Sequence, residues 1–256
     1  MLTVARLAPD WEKAETRDWC ASLEELAGAV PEGAEIYRGR NVIFRAVAGG
    51  GEVAVKRFPV TSLGKRLLYR VRAGKAVRAY DHAVRLRALG VGTPRPLAAV
   101  EVTRGGWPAA SYFCSAFVPA FREARVLRFA ETPDRARLLA LVGGFAGRLH
   151  DLGVLHLDLT AGNILLVPAT GPPGGVELQL VDINRMRFGP VGVRAGIANL
   201  AQLRLNDDGE LFSGYCAARG LDAARLRRFY EARVTLRAFR QDVKERTRPW
   251  RRRLGF

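Results

Sequence analysis

Asp158 and Asn163 stand five residues apart in His156-Leu157-Asp158-Leu159-Thr160-Ala161-Gly162-Asn163, a short polar loop with the apolar run Ile164 to Val167 directly behind it. Nineteen residues beyond Asn163, the strand-like run Leu178-Gln179-Leu180-Val181 delivers a second carboxylate, Asp182. A loop carboxylate, a loop amide and a strand-end carboxylate are the set that phosphoryl transfer from a metal–nucleotide uses. One carboxylate orients the attacking hydroxyl, while the amide and the other carboxylate hold magnesium ions that bridge the phosphates. The H-x-D-x-x-x-x-N spacing is specific, because the Asn has to turn back towards the metal that the Asp faces. Within it, His156 reads as a structural residue bonded near the loop backbone rather than as the base. His82 and His150 read as helix-surface or packing residues.

The elements around these residues begin with strands. Glu35 to Tyr37 and Val42 to Val47 flank the turn Arg38-Gly39-Arg40-Asn41, and Gly49-Gly50-Gly51 turns the chain into Glu52-Val53-Ala54-Val55-Lys56-Arg57-Phe58. Alternation places Val53, Val55 and Arg57 on one face and Ala54, Lys56 and Phe58 on the other. A helix follows over about 74–89, in which Val77, Asp81 and Val84 share a stripe. A carboxylate on a buried stripe wants a cation. Pairing of Asp81 with Lys56 is therefore expected, with the lysine held against a nucleotide's phosphates. Leu97 to Thr103 and Ala109 to Phe117 complete a five-stranded antiparallel sheet with one helix, and 1–30 reads as a polar lead-in with a short helix, Trp19 to Leu26.

From Ala120 the pattern turns helical. Thr132-Pro133-Asp134 starts a helix with Leu138, Leu141, Val142, Phe145 and Leu149 on one stripe, ending at Gly153. Gly171-Pro172-Pro173-Gly174-Gly175 joins two strands, and helices follow over about 193–205, 207–218 and 222–248. The expected fold class is α+β and two-lobed. Residues 1–33 form a lead-in, 34–118 a nucleotide-binding sheet lobe, and 119–256 a helical lobe with the catalytic loop and a basic end.

Bulk properties narrow the setting. Hydrophobic content of 48% with 26% charged residues is ordinary for a globular chain, and no apolar run reaches the ~20 residues of a membrane span. The N-terminus alternates apolar and charged residues and ends in acids, unlike a signal peptide. Three scattered cysteines, Cys20, Cys114 and Cys216, lack metal-ligand spacing. The net charge of +16 is the unusual figure: 59–80 holds six cations and no acid, and 221–256 holds twelve against four. Such surfaces attract polyanions, anionic lipid head groups among them, although a GC-rich genome also inflates arginine. Nothing interleaves aromatic and basic residues as base-stacking proteins do, which argues against nucleic acid.

Together, Val53-Ala54-Val55-Lys56, His156-Leu157-Asp158 with Asn163, and the Asp182 strand resemble the protein-kinase-like fold in order and spacing. Gly39-Arg40-Asn41, Lys75-Ala76-Val77-Arg78-Ala79-Tyr80, Gly92-Thr93-Pro94-Arg95-Pro96 and Val181-Asp182-Ile183-Asn184-Arg185-Met186 narrow the likeness. They are similar to the bacterial lipopolysaccharide core kinases, the Kdo/WaaP family. The resemblance spans about 34–206. It implies ATP and Mg2+ as cofactors, with Asp158 orienting the acceptor hydroxyl and Asn163 and Asp182 on the metal. Lys56, supported by Asp81, would contact the phosphates beneath the Gly39–Asn41 turn. Only Gly39 stands where protein kinases carry a glycine-rich run, Asp81 stands where a longer Glu is usual, and Ile183-Asn184 replaces Phe-Gly. With no Ala-Pro-Glu downstream, a sugar acceptor is favoured over a peptide.

The expectation is an ATP-dependent kinase acting on a lipid-linked sugar, a Kdo or heptose of the lipopolysaccharide inner core. It would be cytoplasmic and held peripherally at the inner membrane face by 65–78 and the tail 246–253. A compact bacterial Ser/Thr protein kinase and a non-catalytic kinase-like scaffold are the alternatives at this point.

Overall fold

The computed structural model describes residues 1–129, 133–169, 175–206 and 209–247. Thr132, the turn residues Gly171 to Gly174, the helix start at Asp207 and the arginines beyond Thr247 lie outside the described residues. The chain forms two compact units, one of Met1–Phe121 with Val167–Arg185 and one of Arg122–Leu166 with Met186–Phe256.

The first unit is a six-stranded antiparallel sheet. Its strands are β1 (Leu2–Leu7), β2 (Glu35–Arg38), β3 (Val42–Ala48), β4 (Gly51–Pro59), β5 (Pro96–Arg104) and β6 (Trp107–Ala116), in the order β1-β5-β6-β4-β3-β2. The strand beyond the expected five is β1, from the segment read as a polar lead-in. It pairs with β5 from Leu2 opposite Val102 to Leu7 opposite Ala98, with a bulge between Val4 and Arg6. The expected helix over Trp19 to Leu26 is two, α1 (Ala14–Ala21) and α2 (Leu23–Gly28). They divide at Ser22, whose hydroxyl donates to Trp19 C=O at 2.9 Å and competes with the helical ladder.

Alternation along β4 creates two cores. Val53 and Val55 face a cluster with Val100, Tyr112 and Cys114, roofed by Trp11, Cys20 and Leu23 of the N-terminal segment. Phe58, on the other face, packs with Ala99 and with Ala76, Val77 and Tyr80 of α4 (Lys75–Ala88). Lys56 shares the Phe58 face, so β4 aims it to the side that α4 covers. Between β4 and α4 lies a helix the sequence reading omitted, α3 (Leu63–Val71), capped by the Ser62 hydroxyl accepting from Lys65 N–H.

In the second unit β7 (Arg122–Glu123) pairs with β9 (Ile164–Pro168), and β8 (Val154–His156) pairs with β11 (Met186–Phe188). Strand β10 (Val176–Leu180) belongs to the first unit. The helices are α5 (Arg135–Asp151), α6 (Val193–Leu200), α7 (Glu210–Ala218) and α8 (Ala223–Arg246). Helices α5 and α7 cross backbone to backbone. A Cβ on Gly143 would collide with the Leu211 carbonyl, and one on Gly214 would sit 2.8 Å from Ala140 Cα. Phe212 of α7 stacks on Tyr230 of α8 with centroids 4.5 Å apart.

Candidate active site

In the first unit Lys56 Nζ donates to Asp182 Oδ1 at 2.7 Å, their side chains 15% and 28% exposed. Three features bring the carboxylate there. A Cβ at Gly92 would collide with the Leu178 carbonyl, so only glycine lets β10 run this close. The Gly92 carbonyl then accepts Leu180 N–H at 2.8 Å, and the Thr93 hydroxyl donates to Leu180 C=O at 2.8 Å. Asp182 itself has φ +54°, a left-handed conformation that Asp tolerates better than most residues. Just past it, His82 Nδ1 lies 2.6 Å from the Ile183 carbonyl, which can only accept, so Nδ1 carries the proton. Burial lowers the His82 pKa, keeping the ring neutral.

The expected Lys56–Asp81 pair is absent. Asp81 accepts from the Arg6 guanidinium of β1 at 2.8 Å, with both side chains 46% exposed. Periodicity put Asp81 on the right helix but on an edge of its stripe, where the unforeseen edge strand supplies a nearer cation. So exposed a pair contributes at most about 1 kcal/mol. The helix residue that does reach the Lys56 side of the sheet is Lys75, which the sequence reading placed only in the basic segment 65–78 and in a family motif, not at the nucleotide site. Lys56 Nζ and Lys75 Nζ lie 5.3 and 5.5 Å from the Phe58 ring centroid. The Lys75 pKa is lowered, first by burial and then by Lys65 and Arg40, with Asp182 opposing. The signal for it was a lysine at the N-terminal end of a helix facing an apolar strand. Gly39 and Asn41 form the β2–β3 turn, closed by Gly39 N–H to Asn41 C=O at 3.0 Å. Ile43, two residues on, pairs with Lys56.

In the second unit the loop after β8 is anchored by Leu159, Ala161 and Ile164, all buried. Asp158, half-buried, has its N–H on His156 Nδ1 at 3.1 Å, and its carbonyl accepts Thr160 N–H at 2.8 Å. Asn163 Nδ2 donates to that same carbonyl at 2.8 Å. His156 is fully buried and serves the loop backbone, as expected. The loop acid and the loop amide are thus brought together by one peptide carbonyl.

A model of the "Lipopolysaccharide kinase (Kdo/WaaP) family" matches residues 58–230, over half of the chain. The chain belongs to the lipopolysaccharide kinase (Kdo/WaaP) family. Lys56 lies two residues before the matched span. No curated protein sequence matches the chain. Among solved structures it is similar to "WaaP in complex with acyl carrier protein", at 17% identity and TM-score 0.61 over 94% of this chain and 98% of that one. It is also similar to "Crystal structure of the Rio2 kinase-ADP/Mg2+-phosphoaspartate complex from Chaetomium thermophilum", at 16% identity and TM-score 0.42 over 84% and 65%. The first likeness shows the kinase-like α+β fold, and family membership shows a phosphotransferase of lipopolysaccharide kinase type.

This lipopolysaccharide kinase supports its loop with a buried relay that spacing could not reveal. Arg219 donates to Tyr215 Oη at 2.8 Å, and Tyr215 Oη lies 3.0 Å from His150 Nδ1. His150 Nε2 lies 3.0 Å from Asn199 Oδ1, and Asn199 Nδ2 donates to His156 C=O at 2.9 Å. Because Asn199 Oδ1 only accepts, His150 carries its proton on Nε2 and takes Tyr215 O–H at Nδ1. Every donor then points towards the loop. Burial lowers the His150 pKa from 6.5 to about 4. Between those values the unfolded chain takes up a proton that the folded ring refuses, so stability falls as pH drops through the window. The loss at full protonation is on the order of 3 kcal/mol. Urea midpoints measured from pH 7 to pH 4 should decline more steeply in the parent than in His150→Gln. Equal slopes would remove His150 as the source.

Proposed function

We propose that this chain transfers the γ-phosphate of Mg2+-ATP to a hydroxyl of a lipid-linked sugar, a Kdo or heptose of the lipopolysaccharide inner core. The carrying observation is the Lys56–Asp182 pair at 2.7 Å in a chain of lipopolysaccharide kinase type. An ammonium on β4 and a carboxylate just past β10, held together, are the partners that exchange for a phosphate and its cation. Lys56 and Lys75 take the phosphate oxygens, with the Gly39–Asn41 turn beside them. Asp182 in the first unit and Asn163 in the second each carry a hard oxygen of the kind magnesium takes. When bound, magnesium neutralises charge on the transferring group.

Asp158 accepts the acceptor's hydroxyl proton as the new O–P bond forms and the bond to the ADP oxygen breaks. Placement and charge neutralisation supply most of the barrier lowering in this chemistry. Asp81, exposed and bound to Arg6, takes no part in this scheme. The lipid-linked acceptor sets the work at a bilayer surface, and the basic segments hold the enzyme there, each cation near an anionic surface contributing ~1 kcal/mol.

Incubation with γ-labelled ATP and Mg2+, with delipidated core oligosaccharide and with a peptide mixture, tests the acceptor class. The expected result is label on sugar, dependent on Asp182. Label on Ser or Thr alone would favour a protein kinase, and no label with bound ATP would favour a scaffold.

A further inference from the structure

Helix α3 is built inside out. At about 100° per residue, Leu63, Leu67, Val71 and Leu68 fall within an arc of about 140°. Arg70, Arg66, Tyr69 and Lys65 fill the remainder. A helix so patterned ordinarily buries its apolar arc on its own core. Here Leu63, Leu67, Leu68 and Val71 are 75, 59, 44 and 87% exposed. The other arc is the one turned inward: Arg66 and Tyr69 are half-buried, and the Arg70 guanidinium stacks 4.7 Å from the Trp107 ring.

We propose that α3 is an interfacial helix whose apolar arc seats in the surface of an anionic phospholipid bilayer. The charge commits the occupant. No acidic residue falls between Pro59 and Tyr80; Arg70 borders one side of the arc, Lys65 the other, and Arg72 follows directly after the helix. An apolar arc rimmed by cations matches a hydrocarbon boundary under anionic head groups. A second copy of this +16 chain would bring the same cations against these and repel. Trp107, 37% exposed beside Arg70, is the residue type that settles at a bilayer–water boundary. The inference deepens the glycolipid reading and rests on it for its purpose, since a membrane-embedded acceptor has to be met at the bilayer.

Co-sedimentation of the full chain with vesicles of phosphatidylcholine, alone or mixed with phosphatidylglycerol, tests it without ATP or acceptor. The parent should bind the mixed vesicles and leave the neutral ones in solution. Leu67→Glu with Val71→Glu, both on the exposed arc, should lower vesicle affinity about tenfold or more. Its circular dichroism and its activity on a soluble, delipidated sugar should stay unchanged. Lys65→Gln with Arg72→Gln should weaken binding at low salt and add little at high salt. Parent-like vesicle binding by the Glu variant would overturn the proposal. So would a parent dimer that this variant splits while neither protein binds vesicles. A chain that binds vesicles through α3 and phosphorylates no sugar would keep this inference and sink the glycolipid reading instead.

Discussion

Asp158→Asn should lower kcat for sugar phosphorylation by about 10³-fold or more while leaving the Kd for Mg2+-ATP near the parent value. The asparagine is nearly isosteric and keeps the backbone contacts that shape the loop: its N–H on His156 Nδ1, and its carbonyl accepting Thr160 N–H and Asn163 Nδ2. What it loses is the carboxylate that the proposed mechanism uses to take the acceptor proton. Asn163→Ala differs, because it removes both the oxygen proposed for magnesium and the 2.8 Å clamp on the Asp158 carbonyl. Nucleotide affinity and turnover should fall together there. Single-turnover rates with calorimetric binding separate the two patterns. Near-parent kcat in Asp158→Asn would take that residue out of the mechanism.

Gly214→Val should destabilise the second unit by about 3 kcal/mol or more and silence the active-site loop as well. The Cβ position at Gly214 already lies 2.8 Å from Ala140 Cα, so α5 and α7 have to separate to admit any side chain. Separation carries Tyr215, on α7, away from His150, on α5. It breaks the relay that ends on the His156 carbonyl. A surface control such as Gly220→Ala is unsuited, because Gly220 has φ +60° and would add backbone strain of its own. Ala232→Val on α8 is a better comparison. Thermal melts and amide exchange at 156–163 report the two effects. A Gly214→Val protein with parent Tm would show that the crossing is looser than described.

The chemistry was more legible in the sequence than its supports. Asp158 and Asn163 meet on one carbonyl because the loop motif is short and its spacing already encodes the turn, whereas the Lys56–Asp182 pair joins residues 126 apart and no local spacing announced it. Asp81 was assigned to Lys56 because a helical stripe ranks faces of one element and says nothing of which neighbour arrives first. Its partner Arg6 sits 75 residues away on a strand whose Leu-Thr-Val-Ala-Arg-Leu pattern alternates only weakly. The same edge strand makes six strands where five were expected. Helix α3 carries a helical apolar period in Leu63, Leu67, Leu68 and Val71, but nothing in a period says that the arc faces out, as it does here. Partners in the His150 relay lie 49 and 65 residues away, beyond any local pattern. Gly92-Thr93, by contrast, was noticed only as a family feature. Its physical reason is the close approach of β10 that sets Asp182.

The most direct measurement is tandem mass spectrometry of a purified lipid-linked core oligosaccharide after incubation with the chain, ATP and Mg2+. The account predicts the mass gain of one phosphoryl unit localised to a Kdo or heptose ring, lost with Asp158→Asn and with Asp182→Asn. An unmodified glycolipid beside ATP consumed on protein hydroxyls would contradict it.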